Sequence, residues 1–254
     1  MSDTDRRGLV MGGLLAGLPL LGGCDAVSES PRGQGVLRGA EQLTRRAQRA
    51  VVRNALAPEY AETDISPDFR ANGSVDPADA EYRRLLADGF RDYRLAVGGL
   101  VERPLSLSLA GLAGMATRTQ ITKHDCVEGW TSIGKWTGTR LSAVLDRAGL
   151  RPEARFVVFH CFDALDQRPD GDRYYESIGL DDAFHEQTIL AWRMNDQPLP
   201  VPHGAPLRLR VERQLGYKHA KYIRRIEAVE SLSHIGRGKG GYWEDRGYEW
   251  YAGI

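Results

Sequence analysis

The amino-acid sequence predicts an α+β domain in which mixed or antiparallel β-sheets carry peripheral helices. Three observations predict it. Short β-branched and aromatic runs outnumber helix-period segments, and the two do not alternate regularly, which argues against a doubly wound parallel sheet. Leu207, Leu209 and Val211 alternate with Arg208, Arg210 and Glu212, the period-two pattern of a half-buried strand with one polar face. The 254-residue chain is long enough to bury one sizeable core and carries no internal repeat.

Taken in order, the chain starts with polar residues, a pair of arginines (Arg6, Arg7) and an uncharged apolar run from Leu9 to Leu21. That run is too short for a comfortable permanent span and reads as a signal peptide. The paired arginines resemble a twin-arginine export signal, although Met11 stands where that motif usually has a basic residue. Leu21-Gly22-Gly23-Cys24 resembles a lipoprotein cleavage box, and Asp25 resembles the signal that keeps some lipoproteins at the inner membrane. The alternative is a soluble signal peptide cut nearby, with Cys24 lost. The expected organisation is a signal peptide over 1–24, a tether over 25–35 and one domain over 36–254.

Arg38 to Ala57, rich in Ala, Leu, Gln and Arg, predicts a helix ending before Pro58. Pro, Asn, Gly and Asp punctuate Glu59 to Pro77 as an extended loop. A strand is expected over Arg94–Val97, a short helix within Leu105–Met115, and a strand over Thr117–Lys123. Leu141, Val144, Leu145 and Ala148 fall at helical spacing inside Trp136–Ala148, with Gly149 as the stop. Strands follow over Phe156–Phe159, Tyr174–Ile178, Ile189–Arg193, Leu207–Val211 and Tyr222–Val229. Asp163–Asp172 reads as a polar excursion and Asn195–Pro198 as a turn.

Composition narrows the functional classes. Lys plus Arg number 34, equal to Asp plus Glu, so no basic excess points to nucleic acid or an anionic membrane surface. No Cys-x-x-Cys, His-Glu-x-x-His or zinc-spaced cluster appears, nor a Gly-x-Ser-x-Gly elbow. Gly236–Gly241 lacks the strand–loop–helix setting of a nucleotide loop. The aromatic, acidic tail from Tyr242 to Tyr251 fits packing over the core, with a substrate-funnel wall as the alternative.

The most informative stretch is ITKHDCVEGWTSIGKWTG, Ile121 to Gly138, with Cys126 in a polar, glycine-rich bend. Lys123, His124 and Lys135 flank it as candidates for contact with a cofactor or substrate, with a satisfied structural histidine as the plainer reading of His124. The stretch resembles the cofactor segment of the sulfite oxidase family of molybdenum enzymes, especially the bacterial single-domain branch that includes periplasmic methionine-sulfoxide reductases. The resemblance covers roughly Ser66 to Val229. It implies a sulfite-oxidase-type molybdopterin-binding domain whose Cys126 thiolate ligates molybdenum. The cofactor's dithiolene would bring the remaining sulfur, so one soft protein ligand suffices.

A second segment, HGAPLRLRVERQLGYKHAKYIRRI from His203 to Ile226, resembles the family's second signature. Carried over by position, the pterin contacts fall on His203, Arg208, His219, Ala220 and Lys221, with Arg208 and Lys221 neutralising phosphate. His203 and His219 stand where asparagine and serine are common. Asn72, in Ser66–Gly73, matches a loop that approaches the pterin; its plainer reading is an Asn-Gly turn. Cys161 matches a position near the cofactor, with a core residue or a Cys126 disulfide partner as the alternatives.

The resemblance implies an exported molybdopterin-dependent oxidoreductase transferring an oxygen atom to or from a small substrate, with S-oxide or N-oxide reduction favoured. Its electron partner would be a membrane haem or quinol-linked protein. Its location would be the periplasm, held at the inner membrane only through a lipid on Cys24. The alternatives are an oxidase of sulfite or a small organic substrate, and a non-enzymatic envelope lipoprotein stapled by Cys126–Cys161.

Overall fold

The computed structural model describes residues 55–165 and 172–254 continuously, with isolated positions between Ser30 and Leu43. The signal peptide, Cys24, nearly all of the expected helix over Arg38–Ala57 and the centre of the 163–172 excursion lie outside the described residues. Backbone contacts divide the chain at Arg53/Asn54; the unit from Asn54 onward is described below. Among its described residues no helix is long and apolar enough to cross a membrane.

Ten strands form two five-stranded sheets. The first runs β2 (Leu105–Leu107), β1 (Leu95–Gly99), β10 (Ile223–Val229), β5 (Phe156–Ala164), β6 (Arg173–Gly179). Only β1 and β10 pair in parallel there, so the sheet is mixed. The second runs β3 (Thr117–Asp125), β4 (Thr131–Arg140), β7 (Ile189–Met194), β8 (Gln197–Pro198), with β9 (Arg208–Arg210) also on β7. Both sheets feed one core: Leu95, Val157, Phe159 and Ile226 from the first meet Leu190 and Leu209 from the second. On β7 the alternation sends Leu190 into that core and Ile189 and Ala191 into a smaller cluster with Trp136 and Phe69.

The helices are short and peripheral. In α1 (Ala80–Ala87) Tyr82 and Leu85 are buried, and the Asp79 side chain caps the first turn by accepting from Tyr82 N. Ser108 caps α2 (Leu109–Ala113) in the same way. In α3 (Leu141–Ala148) Leu141, Val144, Leu145 and Ala148 are buried, and the helix stops at Gly149, whose φ of +70° suits glycine. The fourth, α4 (Leu180–Ala183), is a single turn. Two expectations are corrected. Trp136–Arg140 is strand rather than helix, because β4 pairs with β3 and β7 on its two edges and the helix starts only at Leu141. The strand over 207–211 is not half-exposed: Arg208, Arg210 and Glu212 are buried like Leu209 and Val211 between them.

The C-terminal segment is tied to the domain at several points. Tyr242 lies in the main core, Leu215 N donates to Ala252 O, Ile254 N to Arg213 O, and Trp250 Nε1 to Ser177 Oγ. Lys218 Nζ, fully buried, donates to Glu176 and Glu244, both also buried. Burial raises the Glu176 carboxyl well above its ordinary range, with Lys218 opposing and Glu244 reinforcing the rise. Two carboxylates thus flank one buried ammonium, forming a triad. Gly241 is required beside it, since a Cβ there would fall on the carboxyls of Glu244 and Glu176.

Lys218→Met removes the cation between these carboxylates and is expected to cost about 3–5 kcal/mol, the usual loss when a buried ion pair is broken from one side. Glu176→Gln keeps the Lys218–Glu244 pair and should cost clearly less. Denaturant midpoints of the two variants check the order; equal losses would remove the triad from its anchoring role.

Candidate active site

Strands β3 and β4 form an antiparallel hairpin in register from Thr117↔Thr139 to Asp125↔Thr131. Cys126 N donates to Trp130 O at 3.0 Å and Gly129 N to Cys126 O at 3.0 Å, closing a tight loop. Gly129 has φ +85°, a left-handed conformation that glycine adopts without steric cost. This loop presents Cys126, partly exposed and free, to a cleft of about 160 Å³. Burial pushes the thiol above its ordinary pKa; the Glu128 carboxylate adds to this, while the Glu128 and Val127 amides and Arg70 oppose it.

The loop Asn72–Ser74 forms another wall and is held by a lysine from far along the chain. Lys221 Nζ donates to Asn72 O at 2.6 Å, Ser74 O at 2.5 Å and Pro202 O at 3.0 Å. Three acceptors match the three donors of an ammonium. Burial and the nearby Arg208 pull the other way, lowering this group to about 7, with Asp163 opposing. Asp163 also lines the cleft: its Oδ2 accepts from Ser74 Oγ, its Oδ1 has no partner, and burial raises the carboxyl to about 6.

Behind these residues the structure buries cations. Arg208 is 1 % exposed and donates through Nη1 to His203 O, while Nε and Nη2 are buried without a partner. Burial and the neighbouring Arg210 lower this guanidinium to about 9. Arg210 is better served: it pairs with Glu212, and Gln120 Nε2 donates to the same carboxylate. Both guanidinium groups lie over Trp136, at 4.9 and 4.5 Å from its ring centroid.

Two histidines continue the cluster. Arg210 Nη1 contacts His124 Nδ1 at 3.0 Å; a guanidinium only donates, so Nδ1 accepts and the proton sits on Nε2, which is buried without a partner. His219 Nε2 contacts Gln214 O at 3.0 Å and so carries its proton there, leaving a buried, unpartnered Nδ1 lone pair. Burial, then Arg210, hold both rings well below the ordinary histidine range, so both are neutral. Gly216 is required for this packing, since a Cβ would fall 2.5 Å from His124 Nε2.

Of the residues singled out by sequence, Asn72, Cys126, His219 and Lys221 line one cleft. Arg208 is in the cation cluster against it, and Ala220 is buried with its carbonyl accepting from Leu209 N. His203 gives its carbonyl to Arg208 while its ring packs edge-on against Phe69, and burial lowers it to about 4. Cys161 is the exception: it is fully buried in the apolar core, free, and apart from the cleft lining. The β5–β6 register slips between His160 and Ala164, and it is Asp163 that reaches the cleft. The Cys126–Cys161 bridge considered from sequence is not formed.

Sequence reasoning missed Ser74, Asp163, Tyr174 and Tyr217 on the cleft, and the Arg210–Glu212–Gln120–His124 network. The Arg-x-Arg-x-Glu strand was a visible signal for that network, but period two alone does not say which face is buried. The donor set fits an anionic, molybdenum-bearing cofactor. A soft thiol faces the cleft, and the adjoining cluster holds buried Arg208 and histidine nitrogens without hydrogen-bond partners among the described residues.

A family model described as an oxidoreductase molybdopterin binding domain matches residues 84–234. The chain is 36% identical over 240 residues to a putative protein-methionine-sulfoxide reductase subunit, YedZ1, of Azospira oryzae, covering 94% of this chain and 84% of the relative. It is 38% identical over 148 residues to the protein-methionine-sulfoxide reductase catalytic subunit MsrP of Xanthomonas axonopodis pv. citri, covering 55% of this chain but only 46% of that protein. The sulfane dehydrogenase SoxCD of Paracoccus pantotrophus superposes over 56% of this chain and 39% of its own, with a TM-score of 0.49 at 24% identity.

Because its pKa is raised, the native Cys126 thiol should alkylate more slowly at pH 8 than a free cysteine, with the rate climbing as pH passes the ordinary thiol value of 9.0. Glu128→Gln keeps the amide and removes the charge, so its Cys126 should react faster at pH 8. Cys161 should react only after unfolding. Mass spectrometry of iodoacetamide-treated protein without cofactor reads all three; fast native labelling of Cys161 would contradict the burial described.

Proposed function

Because this chain belongs to the oxidoreductase molybdopterin binding domain family, we propose that it is an exported reductase of S-oxides, methionine sulfoxide among them. The observation that carries the reading is a free thiol on a cleft that Lys221 also lines, with the buried, unsatisfied Arg208 guanidinium beside Lys221. When bound, the molybdenum cofactor supplies two-electron oxygen-atom exchange.

The chain's own residues then divide the work. Cys126 contributes the protein thiolate, and its proton must leave when the metal binds, against the raised pKa of the free thiol. Arg208 offers two unpartnered donor nitrogens, Nε and Nη2, to an oxyanion, and Lys221 adds charge while fixing Asn72–Ser74 at the site. His219 Nδ1 accepts a hydrogen bond, and His203 and Ala220 position the arginine strand through their carbonyls. Reduction of an S-oxide consumes two protons with its two electrons. Asp163, raised to about 6 on the cleft wall, is a group that can hold and release one near neutral pH.

The single domain is read as spanning 36–254. Electrons would come from a membrane haem or quinol-linked partner. Arg6-Arg7 and Leu21–Cys24 support export to the periplasm, with a lipid on Cys24 as a membrane attachment.

Protein matured in a cofactor-producing host should contain near-stoichiometric molybdenum and reduce a sulfoxide with a reduced viologen as donor. Cys126→Ala should lose most of the metal or alter its electronic spectrum, with activity falling at least about 100-fold, as when an essential ligand is removed. Elemental analysis and absorption spectra check this. Well-folded native protein without molybdenum would end the reading.

A further inference from the structure

Two of the four tyrosine and tryptophan rings that line the cleft come from beyond the matched family segment, which ends at residue 234. Trp243 and Tyr248 line the cleft together with Tyr217 and with Cys126 itself. Trp243 and Tyr248 stack with centroids 5.2 Å apart at 28°, and Tyr217 meets Tyr248 edge-on at 5.2 Å and 86°. Tyr248 is 39% exposed and Val127, next to Cys126, 45%, so the mouth is apolar and open to solvent.

These rings are held in advance of any ligand. Glu244, the residue after Trp243, is fixed by buried Lys218. Gly247 turns the chain at φ +107° so that Tyr248 N donates to Trp243 O, and Tyr217 OH donates to Glu249 O. A pre-set aromatic surface loses little entropy on binding. Its chemistry favours polarisable, sulfur-bearing or alkyl groups, which pack well against ring edges and faces. A small hydrophilic oxyanion gains little from it, since this side of the cleft carries rings rather than cations.

We propose that Trp243 and Tyr248 are specificity-determining residues: with Tyr217 they receive the side chain and flanking backbone of a methionine sulfoxide carried in a peptide. The inference rests on the S-oxide reductase reading and adds which part of the chain selects the substrate. Dimethyl sulfoxide lacks the side-chain stem and flanking backbone that the proposal sets against these rings, whereas a peptidyl methionine sulfoxide carries both.

The test compares kcat/KM of the molybdenum-loaded enzyme for an acetylated methionine-sulfoxide tripeptide and for dimethyl sulfoxide, with a reduced viologen as electron donor. The ratio of the two values within one preparation cancels any difference in cofactor loading. Tyr248→Ala should lower the peptide-to-dimethyl-sulfoxide ratio about ten-fold, carried by KM for the peptide, as expected when one aromatic ring is removed from a binding surface. Tyr248→Phe keeps the ring and should restore the ratio to within about two-fold, and Trp243→Phe should fall between. An unchanged ratio in Tyr248→Ala and Trp243→Phe would overturn the inference while leaving the reductase reading intact. A native enzyme inert toward both sulfoxides overturns the two together.

Discussion

The constraint on which this structure turns is a surplus of buried positive charge. Two guanidinium groups lie against Trp136, and only Arg210 has a carboxylate, Glu212, to answer it. Burying a cation without hydrogen-bonded compensation is expensive, and removing polar atoms from water without partners compounds the cost. The fold tolerates Arg208 in that condition, with two of its three guanidinium nitrogens unpartnered. An anion beside such a group would relieve that cost. The neutral state of His124 and His219 follows from the same field: another charge beside Arg210 would add repulsion in a place water does not reach.

The cleft is assembled from segments far apart in the chain, and the ties between them are polar. Lys221 reaches back to the carbonyls of Asn72 and Ser74, so the 72–74 loop and the 216–221 segment form one wall. Asp163 joins through Ser74. Cys126 arrives on a hairpin tip whose position is set by nine paired residues of β3 and β4. Because the site needs all of these at once, it depends on the register of both sheets rather than on any local motif.

The C-terminal segment enters through a second buried charge group, the Lys218–Glu176–Glu244 triad. Lys218 lies three residues before Lys221, so one short stretch anchors the tail at one end and the 72–74 loop at the other. Core formation, cleft geometry and the aromatic side of the cleft are thereby coupled through residues 216–221.

What the sequence by itself determined was the local grammar. The strand at Thr117–Lys123, the helical spacing of Leu141, Val144, Leu145 and Ala148 with its glycine stop, and the Cys126 bend stand where short-range pattern put them, although the helix starts at Leu141 rather than Trp136, because pleat, helical spacing and glycine dihedrals are local properties. Residue-by-residue resemblance named Asn72, Cys126, His219 and Lys221, which the fold gathers at one cleft. Tertiary structure alone decided the rest. Pattern could not tell that the charged side of Leu207–Val211 turns inward, since alternation gives two faces and not which of them meets solvent. Nor could it send Cys161 into the core and Asp163 to the cleft, where a slip in the β5–β6 register intervenes. The aromatic tail read as packing becomes packing at Tyr242 and cleft wall at Trp243 and Tyr248, because which residue faces the cleft is fixed by a buried triad whose members lie 26 and 42 residues apart.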